Sequence, residues 1–407
     1  MSNAEHDHDQ EGLPPDVARA DHPFGGGYLY RPNRLMVARE DRGLLAGELE
    51  RRRIRPRYEP LEGTELFQVY LDPADDRLAP VPEIVSALRA TEVRPGARRP
   101  RVYPVQVAFG APHPVPFPTA PPRPGQPLAV LPLAGDEPGA GVRVAVLDSG
   151  VVDNHDWLGN RVDKRPQDVE GPEFDDDKRL QFYSGHGTFI AGVVLQHAPG
   201  ATVVARRIFA GNGLIDDLQL AEALRQLPEV EVLNLSLGGY THDDIGMPAT
   251  ADALGDLFDR YPGVVVVAAA GNNGDSRPVY PAADKRVIAV AAVDDAGQRA
   301  CFSDFGDWVN CCAPGVDMPS TFFTVRAEPA PAMPPDCLQS PPVGEVDFDG
   351  WALWSGTSFA APAVAGAIAA MIRPGTDGRE AAFRLLGATG IPRRRGLGVY
   401  VNPVRYG

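Results

Sequence analysis

Two textures of apolar and polar positions divide the chain near residue 140. Before it the apolar runs are short. Residues 34–40 read as a strand, and 41–53 carry Leu44, Leu45 and Leu49 at helical spacing. Residues 54–61 and 65–71 read as two strands turned around Glu62 and Gly63, 81–90 as a second helix, and 102–109 as a last strand. The order strand–helix–strand–strand–helix–strand predicts a small α+β, ferredoxin-like domain over 28–110. Beyond 140, continuous apolar runs at 142–147, 230–237, 264–270 and 287–293 suit strands buried on both faces. Helical periodicity separates them at 187–196, 215–227 and 249–261. That alternation predicts an α/β domain over 140–407, a parallel sheet flanked by helices. Chemistry in such sheets gathers beyond the carboxyl ends of the strands.

Two segments fit neither texture. Residues 1–27 are polar and acidic and close on three glycines, so they predict a disordered tail. Residues 111–139 hold ten prolines with few apolar residues between them, so they predict an extended, semi-rigid linker.

Charge narrows the partners. The chain has 407 residues, with 54 acidic against 39 basic side chains and a formal net charge of −15. Residues 1–139 carry a balance of −3 and residues 140–407 a balance of −12. An acidic surface repels phosphate backbones, which excludes nucleic acid as a general partner. No apolar run reaches the roughly 18 residues of a membrane span. The polar, acidic start lacks the basic and apolar regions of a signal peptide, so a cytoplasmic chain is expected. The four cysteines, Cys301, Cys311, Cys312 and Cys337, form no disulfide framework, and their spacing fits no zinc site. Buried free thiols in a reducing compartment are expected.

Three residues have the makings of nucleophilic catalysis. Asp148 closes the first long strand, in VRVAVLDSG; His186 precedes a helix, in SGHGTFIAG; Ser358 opens another, in WSGTSFAAPAVAGAIAAM. A serine hydroxyl needs a base to take its proton and an acid to orient that base. A helix N-terminus also favours developing negative charge. Asn272, in AAAGNNGD after an apolar strand, can donate its side-chain amide to an oxyanion, with the Ser358 N–H as second donor. Each has a plainer role on its own: strand-end carboxylate, loop histidine, helix cap, Asn-Gly turn.

Taken together and in this order, the motifs resemble the subtilisin-like serine proteases, the subtilases. DSG at Asp148, GHGT at His186, NLSLGG over 234–239, AAGN at Asn272 and GTSFAAP at Ser358 carry the likeness, which covers about 141–407. The resemblance implies an Asp148–His186–Ser358 triad, Asn272 in the oxyanion hole and an acyl-enzyme. It implies that a peptide substrate is held as an added strand between Ser236, Leu237, Gly238 and Gly239 on one side and the segment Gly211-Asn212-Gly213-Leu214 on the other. Val279, placed by the neighbouring Tyr280-Pro281, falls at the base of a first specificity pocket suited to small or medium apolar side chains. His155 matches a structural histidine, and His155 and His197 stay outside the mechanism. Asp153, Asp156 and Asp175 to Asp177 read as solvated acidic loops, and no metal site is assigned.

The chain departs from the family in places. The calcium loop inserted after the histidine helix in many secreted members is absent between Gln196 and Ala201, so no cofactor is required and calcium elsewhere stays open. The stretch 319–351 is longer than expected and reads as a surface loop. The first domain resembles, in element order, the propeptides of the family, which implies an inhibitor carried in the same chain. Its following prolines lack the N–H groups that strand pairing uses. A peptide ligase or macrocyclase on the same fold, and a non-catalytic binding protein with a protease fold, are the competing functions.

Overall fold

The computed structural model describes residues 13–22, 27–73, 79–90, 98–109, 120–129, 137–331, 335, 337–340, 342–388 and 392–403. The rest of the expected tail and linker lies outside the described residues.

Among the described residues nine strands build the main sheet. Their spatial order is Arg393–Arg394, Gly398–Tyr400, Cys311–Pro314, Val287–Val293, Val265–Ala269, Val232–Leu235, Arg143–Asp148, Thr202–Arg207 and Val162–Asp163. All pairings are parallel except the first, which is antiparallel. The central strands are Val- and Ala-rich and buried along almost their whole length, so they read in the sequence as unbroken apolar runs. The helix Thr357–Met371 is apolar all round and runs against five strands of the sheet and against the helix His186–His197. A helix without a polar face must be buried on every side. Both helices therefore begin inside the molecule, where the His186 ring lies against Phe359, the residue after Ser358.

The stretch expected as a surface loop over 319–351 is mostly a hairpin. Met318–Ala327 pairs antiparallel with Val346–Trp354, with a register shift between Thr321 and Thr324. Phe322, Phe323, Phe348, Trp351 and Trp354 are buried in it. The bulge breaks the two-residue alternation on which strand reading depends, and only 328–345 lies outside the two strands.

Part of the proline-rich linker joins this hairpin as a third strand, Arg123–Pro124 against Ala352 and Leu353. Trp354 Nε1 donates to the Ala120 carbonyl (2.9 Å) and Trp157 Nε1 to that of Ala129 (3.1 Å).

The first domain is an antiparallel sheet in the order Val102–Phe109, Gly27–Ala38, Leu66–Pro73, Ile54–Pro60. Helices Arg42–Arg51 and Val81–Ala90 bury Leu45, Leu49, Ile84, Val85 and Leu88 with Leu35, Val37 and Val69. Ala18–Asp21 pairs with the start of Gly27–Ala38. These residues fall inside the segment expected to be disordered, and the expectation gives way there. Val17 and Ala18 are buried, an apolar pair too short to show as a pattern. At the far edge, Val107–Phe109 pairs with Leu214–Asp216, a strand of the larger domain. One sheet thus runs across both domains.

The cysteine expectation is corrected in part. Cys301 and Cys337 form a disulfide across 36 residues, while Cys311 and Cys312 are free and buried. The hairpin folds Cys337 back onto the turn at Cys301, a return invisible to a reading that took 319–351 as a loop. The expectation of a reducing compartment rested on four free thiols, and the bonded pair removes that support. Burial pushes the Cys312 thiol up to about 11 and that of Cys311 higher still, so both stay protonated. No helix among the described residues is long and apolar enough to cross a membrane.

Candidate active site

Asp148 is the last residue of the strand Arg143–Asp148, and His186 is the first of its helix. The fold brings them together: His186 Nδ1 lies 2.8 Å from Asp148 Oδ1. The same oxygen accepts from Ser149 N at 2.8 Å. Asp148 Oδ2 is buried with no hydrogen-bond partner among the described residues. A carboxylate oxygen at this distance from Nδ1 accepts an Nδ1 proton, the tautomer that leaves Nε2 as the acceptor. The ring is boxed by aromatic groups, edge-on to Tyr183 and Trp354 and tilted against Phe359, with centroids 5.4–5.6 Å away. Such a box fixes the ring plane and keeps water from its faces.

Ser358 is the second residue of the helix Thr357–Met371. Its carbonyl accepts from Ser236 Oγ at 2.8 Å, and Asn234 Nδ2 in turn donates to that Oγ at 2.9 Å. Asn234 and Ser236, at the end of a central strand, thereby pin the backbone of the serine.

Asn272 follows the strand Val265–Ala269. Its Oδ1 accepts from both Thr357 N and Thr357 Oγ1, each at 2.9 Å. With the carbonyl side of the amide taken, the NH2 side is left to donate, and a Cβ added to Gly356 would sit 3.6 Å from Nδ2. The amide therefore points toward the turn that precedes Ser358, as an oxyanion donor should.

The residues expected to hold a substrate strand are placed as follows. Gly238 N donates to Phe109 O (2.8 Å), and Phe109 N donates to Gly238 O (3.0 Å). On its other side Phe109 pairs with Leu214. The chain's own residue 109 thus lies between the two expected walls. The second wall overlaps the expected segment at Leu214, which pairs with Phe109, and continues as the strand Leu214–Asp216. Gly211 and Gly213 instead form a turn on Tyr183, where Gly213 N donates to Ala210 O (2.8 Å) and Tyr183 N to Gly211 O (3.0 Å). Leu237 is buried, and Gly239 exchanges two 2.9 Å hydrogen bonds with Tyr280. Val279 is fully buried between Gly238 and Gly271. Its Cγ1 would stand 2.6 Å from a Cβ on Gly238, and its Cγ2 3.1 Å from one on Gly271.

His155 lies apart from the triad, with Nε2 2.8 Å from the Gly350 carbonyl and its ring edge-on to Trp351. His197 is buried at the end of its helix. Among the described residues no group of three or more His, Cys, Asp or Glu is placed to hold a metal ion.

Sequence reading missed Glu170. It is buried beside Asp148 and accepts from Thr188 Oγ1 (2.8 Å), Thr188 N (3.3 Å) and Gly185 N (3.3 Å), holding the chain on both sides of His186. Burial pushes its carboxyl up to about 7; the Asp148 charge adds to this, and the Thr188 and Ser149 hydroxyls oppose it. Nothing in VEGPEF marks such a role; the signal is spatial.

Residues 139–380 match the profile of the subtilase family, Peptidase_S8. A thermophilic serine proteinase of Bacillus sp. (strain AK1) is 34% identical over 254 residues, which are 59% of this chain and 54% of that protein. Thermitase of Thermoactinomyces vulgaris is 32% identical over 241 residues, 56% of this chain and 74% of that one. The chain thus spans about half the length of the first of these relatives. Among solved structures, fervidolysin of Fervidobacterium pennivorans, a keratinolytic enzyme related to subtilisin, superposes with a TM-score of 0.58 at 23% identity. The match covers 92% of this chain and 60% of that one, and bears on the fold.

Proposed function

The chain belongs to the subtilase family, and on that premise we propose that it is a serine endopeptidase controlled by its own first domain. The observation that carries the reading is the 2.8 Å pairing of His186 Nδ1 with Asp148, on a ring boxed beside the helix that begins at Thr357 and Ser358. His186 takes the Ser358 proton through Nε2 as Oγ attacks a peptide carbonyl. Asp148 holds the ring in the tautomer that leaves Nε2 free and stabilises its cationic form. The Asn272 NH2 and the Ser358 N–H receive the oxyanion, a donor of this kind being worth roughly 3 kcal/mol in the transition state. His186 returns the proton to the leaving amine, and water, activated by the same ring, releases the acyl group. Side chains and backbone supply every group, so the reaction requires no cofactor.

Control by the first domain is supported by Phe109, which makes the paired backbone bonds with Gly238 that a substrate residue would make. Substrate entry then requires this strand to leave or be cut. The pocket at Val279 favours small or medium apolar side chains.

Intact mass spectrometry of wild type beside Ser358→Ala, with and without a peptide mixture, tests the reading. Wild type is expected to add one water per cut bond and to take up one fluorophosphonate at Ser358. The variant is expected to do neither. Cleavage that survives in the variant would remove Ser358 from the mechanism.

A further inference from the structure

A second buried acid, outside the triad, lies behind the oxyanion loop. Asp304 has no exposed surface. Its Oδ1 accepts from Asn273 N (2.7 Å) and Asp275 N (3.2 Å), and its Oδ2 accepts from Asn273 Nδ2 (2.9 Å). Its own N–H donates to the Gly271 carbonyl at 3.0 Å. These four bonds fall on residues 271, 273 and 275, on both sides of Asn272. A carboxyl group suits such a place, since its two oxygens can accept several N–H groups.

The approach is close. Gly271 has φ +117°, and a Cβ there would come within 2.2 Å of Asp304 Oδ2, so Gly271 is the residue that lets the acid in. The loop is held from its far end as well. Tyr240 OH donates to Asp275 Oδ2 (2.7 Å), and Phe305 N donates to Asp275 O (2.9 Å). Burial pushes the Asp304 carboxyl up to about 8, with the Asp275 charge adding to this and the N–H groups of Asn273 and Asp275 opposing it. Thr357 orients the plane of the Asn272 amide and its Oγ1 accepts from Gly271 N at 3.1 Å, but it makes no bond to residues 273–275. The Asp304 carboxyl holds the backbone and side chain beyond residue 272, at Asn273 and Asp275, while its backbone N–H holds Gly271 before it.

We propose that Asp304 is a positioning residue for the oxyanion donor: by clamping Asn273 and Asp275 with its carboxyl it fixes where the Asn272 NH2 stands when the tetrahedral intermediate forms. The proposal rests on the endopeptidase reading. It makes no contact between Asp304 and substrate, and its effect passes entirely through Asn272.

A double-mutant cycle tests it. kcat and KM are measured on a peptide p-nitroanilide for wild type, Asp304→Ala, Asn272→Ala and the double variant, each normalised to sites titrated with a fluorophosphonate. Because the donor acts in the transition state, Asp304→Ala is expected to lower kcat per titrated site roughly ten- to a hundredfold, with KM within about twofold. In the Asn272→Ala background the same substitution is expected to change kcat by less than about twofold. Should Asp304→Ala fail to fold, Asp304→Asn serves. It keeps one acceptor oxygen but turns an NH2 on Asn273 Nδ2, and is expected to lose kcat in the same sense. The proposal is overturned if kcat per site is unchanged and only the titre or the melting temperature falls, or if the loss is as large without Asn272 as with it. Labelling of wild-type Ser358 reports on the endopeptidase reading separately from the ratio between the two backgrounds.

Discussion

Glu170 holds Gly185 and Thr188, the residues that flank His186, and it does so without a cation beside it. Its carboxyl is raised to about 7 from an ordinary value near 4.5, so the folded chain keeps a proton there that the unfolded chain loses. The linked stability is fully present below about 4.5 and is lost as pH rises toward 7, and a shift of this size is worth on the order of 3 kcal/mol. Glu170→Gln cannot titrate. Relative to wild type it is therefore expected to gain stability between pH 4.5 and 7, read as the difference between urea midpoints at the two ends of that range. A difference that stays constant with pH would show that Glu170 does not titrate there. Asp148, His186, Asn272 and Ser358 were legible because each sits in a short motif on a recognisable strand end or helix start. Glu170 and Asp304 were not. Their partners lie in turns distant in sequence or in surroundings without pattern, and an isolated acid in a loop reads as a solvated charge.

In the endopeptidase proposed above, two strand ends and one valine shape the first specificity pocket. The walls come from Leu237 to Gly239, beyond the strand Val232–Leu235, and from the residues up to Gly271, beyond Val265–Ala269. Val279 fills the space between them, close to both Gly238 and Gly271. Wild type is expected to prefer small or medium apolar residues before the cleaved bond. Val279→Gly is expected to admit aromatic side chains, with the preference for Phe over Ala rising roughly tenfold, since a few methylene groups of extra depth are worth about 1–3 kcal/mol. Cleavage profiling of a peptide library reads both, and a wild type that already prefers large aromatic or basic residues would rule this pocket out. Elements of this kind were read well where burial made continuous apolar runs, as in Val287–Val293, whose bounds agree with expectation. They were read poorly where pairing is set by distant partners. The hairpin Met318–Ala327 with Val346–Trp354 carries a bulge and a long excursion, and the edge strand Leu214–Asp216 owes its existence to Val107–Phe109.

Across the whole molecule, the acidity of residues 140–407 meets arginines of the first domain at a common seam. Arg31 Nε donates to Asp216 Oδ2 at 3.0 Å, with both side chains at most 10% exposed; Arg89 pairs with Asp243. In the other direction Arg277 donates to the Gly27 carbonyl (3.0 Å). Asp216 has two further tasks: it caps the helix Asp217–Arg225, accepting from Leu218 N and Gln219 N, and it ends the strand that flanks Val107–Phe109. Arg31 therefore ties the first domain to the wall against which Phe109 is held. Removing one member of a buried pair leaves the other charge uncompensated, at a cost of roughly 3–5 kcal/mol. Arg31→Ala is expected to loosen the Val102–Phe109 strand from its neighbours without touching the triad. Two readings follow for the full chain. Amide exchange at 102–109 should accelerate while that of Val265–Ala269 stays slow, and the initial rate on a small peptide p-nitroanilide should rise above wild type. Salt should mimic this only weakly, because screening acts on exposed pairs far more than on one as buried as Arg31 and Asp216. A variant whose exchange at 102–109 and initial rate both match wild type would show that the seam does not govern access to the site.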